Sequence, residues 1–235
     1  KMPSKVQFFS FLVLFLSFQA TAQPPSSVMK GQWSPIFEKN GIKVYKQKLH
    51  DNPLLALRAH GKLNSSIESL LTIFRDVKGS LQWAPRLKER FILKNISESE
   101  AIVYEVRQLP WPCKNRDLVL HNKLFFDKQN KSLVLRTWSV DGFPQDPSNP
   151  EFVRADISYS AITMKPLSKE TTQVEIVIHV DPRGDIPKWL VNLIQKNWPY
   201  KFLKRIENRS HVIRPQLGPE LKRFVSDLYS TKPYL

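Results

Sequence analysis

The residues of this chain that could do chemistry are few, and their spacing builds none of the familiar catalytic sites. The 235 residues hold no G-x-S-x-G turn to expose a serine nucleophile and no H-E-x-x-H pair for zinc. They hold no phosphate-cradling P-loop and no glycine-rich dinucleotide turn either. His50, His60, His121, His179 and His211 are scattered without metal-ligand spacing. Cys113 is the single cysteine, so no intrachain disulfide can form. In its Pro-Trp-Pro-Cys turn it reads as a small apolar residue, because a reactive thiol wants a histidine and an accessible, electropositive site. The expectation is a binding protein with no cofactor and no metal. An enzyme acting on a hydrophobic substrate stays open as the alternative, since a missing motif does not exclude one.

Polar residues on apolar faces are more informative. Along Asp117–Asp127, Leu118, Leu120, Leu124 and Phe126 share one face, and Asn122 shares it with them. Along the segment from Ile186 to Trp198, helical spacing puts Ile186, Trp189, Leu190, Leu193, Ile194 and Trp198 together. Lys188, Asn192, Gln195 and Lys196 fall opposite, and Asn197 interrupts the apolar stripe. A buried amide without a partner costs roughly 1–3 kcal/mol, so Asn122 and Asn197 should each bond something. That partner is either a ligand or ordered water in a cavity, or nearby backbone. Arg116-Asp117 poses a similar choice between an ion pair fixing a turn and an arginine offered to an anion.

The elements that must position these residues are mostly strands. Period-two or β-rich runs predict strands over Ile42–Lys48, Leu54–Leu63, Phe91–Ile96, Ala101–Gln108, Asp117–Asp127, Ser132–Val140, Phe152–Pro166 and Thr172–Asp181. Ser66 opens a helix with Ile67, Leu70, Leu71 and Phe74 at helical spacing, and a short turn or helix surrounds Trp83. Near the C-terminus Asp185 is placed to cap a long helix, Pro187 falls in its first turn, and Pro199 should kink it. This order predicts an α+β fold with one curved antiparallel sheet. A long amphipathic helix across the concave face would close an apolar cavity. Asp141–Glu151, with three prolines, is too long for a tight hairpin and is either a loop at the cavity mouth or an ordinary surface loop.

Three blocks carry a resemblance. Val180–Pro199 (VDPRGDIPKWLVNLIQKNWP), Leu109–Val119 (LPWPCKNRDLV) and Phe152–Leu167 (FVRADISYSAITMKPL) stand in the order and at the spacing of START domains. These are the lipid-transfer domains related to the steroidogenic acute regulatory protein, and the resemblance runs from Trp33 to Asn208. It implies the helix-grip (START/Bet v 1-like) fold, and a lipid-binding, lipid-transfer protein with one hydrophobic ligand in an internal cavity. By the resemblance Arg116 is the candidate to meet a phosphate. Sterol-carrying members hold a charged pair with an arginine at the position of Asn122, so sterol transport by that mode is not expected. The expected ligand-binding residues are Arg116, Asn122, Leu190, Leu193, Ile194 and Asn197.

The address is read from the amino end. Lys1 and Lys5, the apolar run Phe8–Phe18 and Ala20-Thr21-Ala22 make a secretory signal peptide over residues 1–22. A linker (23–32), a START-like domain (33–225) and a C-terminal tail (226–235) would follow. The chain is thus expected to be an exported bacterial member, soluble in periplasm or medium, and monomeric. The net charge of +15 favours anionic partners. Export makes membrane lipid, not nucleic acid, the better one. Phe143 and the basic helix end Lys201, Lys204 and Arg205 are candidates for membrane contact, the same cations being equally explained by the helix dipole. Sequencing the amino terminus of protein from its source should begin at Gln23; a retained Met2 would overturn the export reading.

Overall fold

The computed structural model describes residues 31–50, 52–142 and 151–230. The expected signal peptide, most of the linker, Phe143 and most of the Asp141–Glu151 loop lie outside them.

The described residues open with β1 (Ser34–Lys39), β2 (Ile42–Leu49) and β3 (Asn52–Leu63). Next comes α1 (Ile67–Arg75), whose first turn is capped by Ser66 accepting the Ser69 amide at 3.1 Å. A single-turn α2 (Ser80–Trp83) leads into β4 (Leu87–Asn95), β5 (Glu100–Arg107), β6 (Arg116–Asp127) and β7 (Ser132–Ser139). The two-residue β8 (Val153–Arg154), then β9 (Asp156–Pro166) and β10 (Thr172–Asp181), complete the sheet. Three helices end the chain: α3 (Lys188–Gln195), α4 (Trp198–Ser210) and α5 (Pro219–Tyr229).

All ten strands form one sheet in the order β1-β2-β3-β10-β9-β7-β6-β5-β4, with β8 beside β6. Every pair is antiparallel except β6 with β8. The α+β, helix-grip class expected from the element order is the observed one. Inward residues of β6 and β10 alternate as read: Leu118 and Leu120, and Ile176, Ile178 and Val180, border one interior space. The main core joins this sheet to the helices through Ile67, Leu70 and Ile73 of α1 and Phe202, Leu203 and Ile206 of α4.

Three expectations need correction. The long C-terminal helix is two helices, broken at Lys196–Asn197. Pro199 offers no N–H to the Gln195 carbonyl and its ring crowds that oxygen, so the hydrogen-bond ladder is interrupted, although Lys196 and Asn197 keep right-handed helical dihedrals, and it restarts with Pro199 in the first turn of α4. Asp185 does not cap α3, which begins after Pro187 without a side-chain cap. The expected Phe152–Pro166 strand is likewise divided, at Ala155.

The boundary expected at residue 225 falls inside α5, whose Leu221 and Leu228 are buried in the main core. Its start is clasped to the β4–β5 turn. The Glu220 amide donates to Glu98 Oε2 at 2.6 Å, while its carboxylate accepts the Glu98 amide at 3.1 Å and the Ser99 hydroxyl at 2.7 Å. The Ser99 hydrogen bond leads the causes that hold the Glu220 carboxyl below the ordinary glutamate range. Its stabilising effect is therefore present above the unfolded pKa of about 4.3 and is lost as the pH falls through the lower folded value. Glu220→Gln should lower stability by about 1 kcal/mol at neutral pH, and the gap should close on acidification; denaturant melts across that range measure it.

Candidate functional site

Between the concave face and the helices lies a cavity of about 210 Å³. Its sheet wall is built by alternation: Leu57 from β3, Leu118 and Leu120 from β6, Leu135 from β7, Ile157 and Ile162 from β9, and Ile176 and Ile178 from β10. Its roof comes from Phe74 of α1, Trp83 of α2, Ile194 and Gln195 of α3, and Trp198 and Phe202 of α4. Phe202 is central to that roof, stacking on Trp198 at 4.9 Å between ring centroids and meeting Trp83 edge-on at 5.6 Å. A second space of about 80 Å³ adjoins the first, and Phe74, Arg90, Asn122 and Leu135 border both.

Charge is gathered at one part of the wall. Arg90 and Glu105 are cross-strand partners on β4 and β5, with Arg90 Nε 3.0 Å from Glu105 Oε1. Arg107, two residues along β5, grips Glu105 Oε2 through Nε at 2.9 Å and Nη2 at 2.6 Å, and donates to the Pro85 carbonyl. Glu105 is 2% exposed and the Arg90 side chain 13%. Burial alone would raise the Glu105 carboxyl, but the guanidiniums of Arg107 and Arg90 outweigh it and hold it below the ordinary range. Burial, with repulsion from Arg107, pulls Arg90 below the usual arginine value against the attraction of Glu105. The sequence reading missed this trio. Period two puts Arg107 on the same face as Glu105, but a register shift between Ile92 and Lys94 decides that Arg90 stands opposite Glu105, and nothing in the sequence marks it.

The structure divides the expected ligand residues. Arg116 borders the cavity, but Nε donates to the Pro182 carbonyl at 2.6 Å, Nη2 to that of Arg183 at 2.9 Å, and Nη1 to that of Lys114. It pins the start of β6 to the turn after β10. That turn passes so close that a Cβ on Gly184, itself at φ +69°, would lie 3.3 Å from Arg116 Nη2. Arg116 is therefore chiefly a backbone fastener, and burial lowers its pKa. Nor does it pair with Asp117, which binds Arg154 at 2.6 Å. Asn122 does face the cavity, and its Oδ1 accepts the Thr137 hydroxyl at 2.7 Å across β6 and β7. Ile194 lines the space.

Leu190, Leu193 and Asn197 do not line it. Leu190 packs with Leu54, Ile186, Val191, Leu109 and Cys113 beside the cavity, and Asn197 is exposed in the break between helices. Leu193 is 58% exposed and Trp189 69%. α3 is thus turned from the expected orientation. Asn192, read as outward, accepts the Leu55 amide at 3.2 Å and donates to the Pro53 carbonyl at 3.3 Å; Gln195, also read as outward, borders the cavity. The apolar arc of this helix is wider than the face it buries, and the surplus meets solvent. Trp111, 94% exposed, projects from the β5–β6 turn whose Leu109 and Cys113 pack against α3. Of the basic candidates, Lys204 is engaged by Glu207 and Arg205 donates to the Trp83 carbonyl, while Lys201 stands exposed.

Comparison with known proteins fits this geometry. The START domain profile matches residues 26–215. The chain belongs to the START domain family. Bovine phosphatidylcholine transfer protein is 27% identical over 176 residues, covering 73% of this chain and 81% of its own length. An uncharacterised Pseudomonas aeruginosa protein is 25% identical over 176 residues, covering 75% and 85%. A solved STAR-related lipid transfer protein fragment from Xanthomonas axonopodis superposes with TM-score 0.67 at 27% identity, over 76% of this chain and 98% of that one. Human STARD10, at 19% identity and TM-score 0.69, shares the fold over 93% of this chain and 88% of its own. In this START domain α5 lies beyond the matched residues, and its Leu221 borders the second space.

If the cavity holds an apolar ligand, Ile194→Arg should reduce uptake of a fluorescent fatty acid in vesicle-free solution about a hundredfold or more, because an unpaired charge in an apolar site costs several kcal/mol. Leu193→Arg, one residue away on the exposed side, should bind as the unaltered protein does. Circular dichroism checks that both fold.

Proposed function

We propose that this START domain binds one lipid in the cavity between sheet and helices and carries it between membranes. The observation that carries the reading is the cavity itself: a partly open space with mostly aliphatic and aromatic walls, left unfilled by the protein's own side chains. Native cores leave few such spaces. Burying acyl chain there contributes about 0.8 kcal/mol per CH₂, so a single chain supplies substantial affinity. The lipid-transfer names of several relatives support the same reading. At about 210 Å³ the space is smaller than the roughly 300–1,000 Å³ of typical small-molecule sites, so loading a larger lipid requires the walls to move.

α3 is the wall built to move. Within it only Val191 is fully buried, the break at Lys196–Asn197 separates it from α4, and Asn192 latches it to the start of β3. The apolar surplus of α3, Trp189 and Leu193, and Trp111 on the turn packed against it would enter the membrane surface at the cavity's end. The basic character of the chain, with Lys201 exposed on α4, would draw this end to anionic lipid. The export expected from the amino-terminal segment would place this traffic outside the cytoplasm.

The test is transfer of fluorescent phospholipid between vesicles, with the lipid recovered and chromatographed. Transfer proportional to protein, with lipid chemically unchanged, is the expected result. A cleaved or cyclised product would establish the enzyme alternative. Joint replacement Trp111→Ala and Trp189→Ala should slow transfer at least about tenfold while leaving equilibrium binding of a soluble fatty acid intact. Asn192→Ala should speed release of bound probe, since it removes both latching hydrogen bonds. Raised salt should slow transfer to anionic vesicles.

A further inference from the structure

The charged part of the cavity wall identifies the kind of lipid. Glu105 has one negative charge and two guanidiniums beside it. Arg107 takes one of its oxygens through two nitrogens, both charge-assisted hydrogen bonds converging on Oε2. Arg90 is left with the other oxygen, close enough for an ion pair but without a hydrogen bond to any described residue. Arg90 borders both interior spaces, at their junction. Arg116 adds a further positive charge to the same wall, with backbone carbonyls as its hydrogen-bond acceptors. Among the described residues lining the larger space Glu105 is the one carboxylate, so that wall carries more positive than negative charge, whereas the smaller space sets Glu98 and Glu100 against Arg75 and Arg90. Trp83 Nε1 and Arg90 Nε are buried donors with no acceptor, so this wall lacks acceptors rather than donors.

A surplus charge in an apolar enclosure is costly unless something compensates it. A zwitterionic or neutral head would leave the surplus in place. A single anionic group at Arg90 would reduce it and supply the missing acceptor. We infer that the cavity takes an amphiphile with a buried anionic head, a carboxylate or a phosphate, received by Arg90 beside the Glu105–Arg107 pair. This rests on the reading that the cavity holds a lipid. The modest space suits one acyl chain better than two, with the smaller space beside Arg90 open to the chain's end or to the head.

Calorimetry on the purified chain with four matched probes tests it: laurate, lauryl alcohol, lauroyl lysophosphatidic acid and lauroyl lysophosphatidylcholine. Laurate should bind about tenfold or more tightly than lauryl alcohol, as one charge-assisted hydrogen bond supplies. Lysophosphatidic acid should likewise exceed lysophosphatidylcholine. Whichever anion shows the larger ratio distinguishes a carboxylate head from a phosphate head. Arg90→Gln should bring the acid-to-alcohol ratio close to one, and Arg90→Lys should restore part of it. Lys169→Gln, on the exposed β9–β10 turn, should keep the ratio of the unaltered chain. Equal binding of acid and alcohol by the unaltered protein would overturn this inference while leaving lipid carriage standing. Failure of all four probes to bind would overturn both.

Discussion

Everything this molecule can do with a ligand depends on how weakly one short helix is held. A curled antiparallel sheet presents an apolar concave face, and something must cover it. A long helix packed along its whole length would fill the space and stay there. The break imposed by Pro199 divides the task. α4 buries Phe202, Leu203 and Ile206 and is fixed. α3 buries Val191 alone within the helix and relies on Asn192 to hold the backbone of β3. Hydrogen bonds to exposed backbone contribute little net stability because water replaces them readily. Closure of this kind is cheap to undo, which is what the proposed carriage would need.

The same division explains where sequence pattern succeeds and fails. Strands β6 and β10 are legible because each has one face in the cavity wall whose residues, from Leu118 to Phe126 and from Ile176 to Val180, are apolar at every second position apart from Asn122, even though Val119, Phe125 and Val177 put apolar groups on the other face. α1 is legible from Ser66 and the spacing of Ile67, Leu70 and Leu71. β1 is hidden because SPIFEK is short, carries Pro35 and lies at the sheet edge, where burial writes no alternation. α5 had its own signals, Gly218-Pro219 followed by Leu221, Phe224, Val225 and Leu228 at helical spacing, but they lie beyond the segment that resembles the family. The orientation of α3 is the instructive failure. Periodicity finds an apolar face and assigns it inward. Here that face is broader than the cavity requires, and Trp189 and Leu193 are its outward part. A helix that serves both a cavity and a surface has no single inward direction to read.

The charged wall was harder to see for a related reason. Arg90 lies in LKERFILKN, an edge strand with charge and apolar residues on both faces, so no pattern marks the arginine as inward. Glu105 looks like any acid in a β-rich run. Only their register, β4 against β5, brings them together, and register is a tertiary fact. Arg116 errs in the opposite direction. Its place in N-R-D made it the conspicuous candidate for an anion, yet the structure engages it with two backbone carbonyls at the turn that leads into α3 and a third, that of Lys114, before its own strand. It acts on the lid by fixing the point from which the lid departs.

These two arginines therefore have different effects on a ligand. Removing Arg116 frees the Pro182–Gly184 turn and also takes one positive charge from the wall, so it should alter how fast the cavity opens for every ligand and weaken the hold on an anionic head. Removing Arg90 changes the charge of the wall, so it should alter which heads are preferred and leave opening alone. Rate and selectivity are usually entangled in a binding protein because the residues that touch the ligand also hold the gate. Here α3 hangs from β10 and β3, and the Arg90–Glu105–Arg107 trio sits across the sheet on β4 and β5. The strand order puts β9, β7 and β6 between them. That separation lets selectivity change by substitution at Arg90, Glu105 and Arg107 without disturbing the turn, the latch or the exposed tryptophans on which exchange with a membrane would depend.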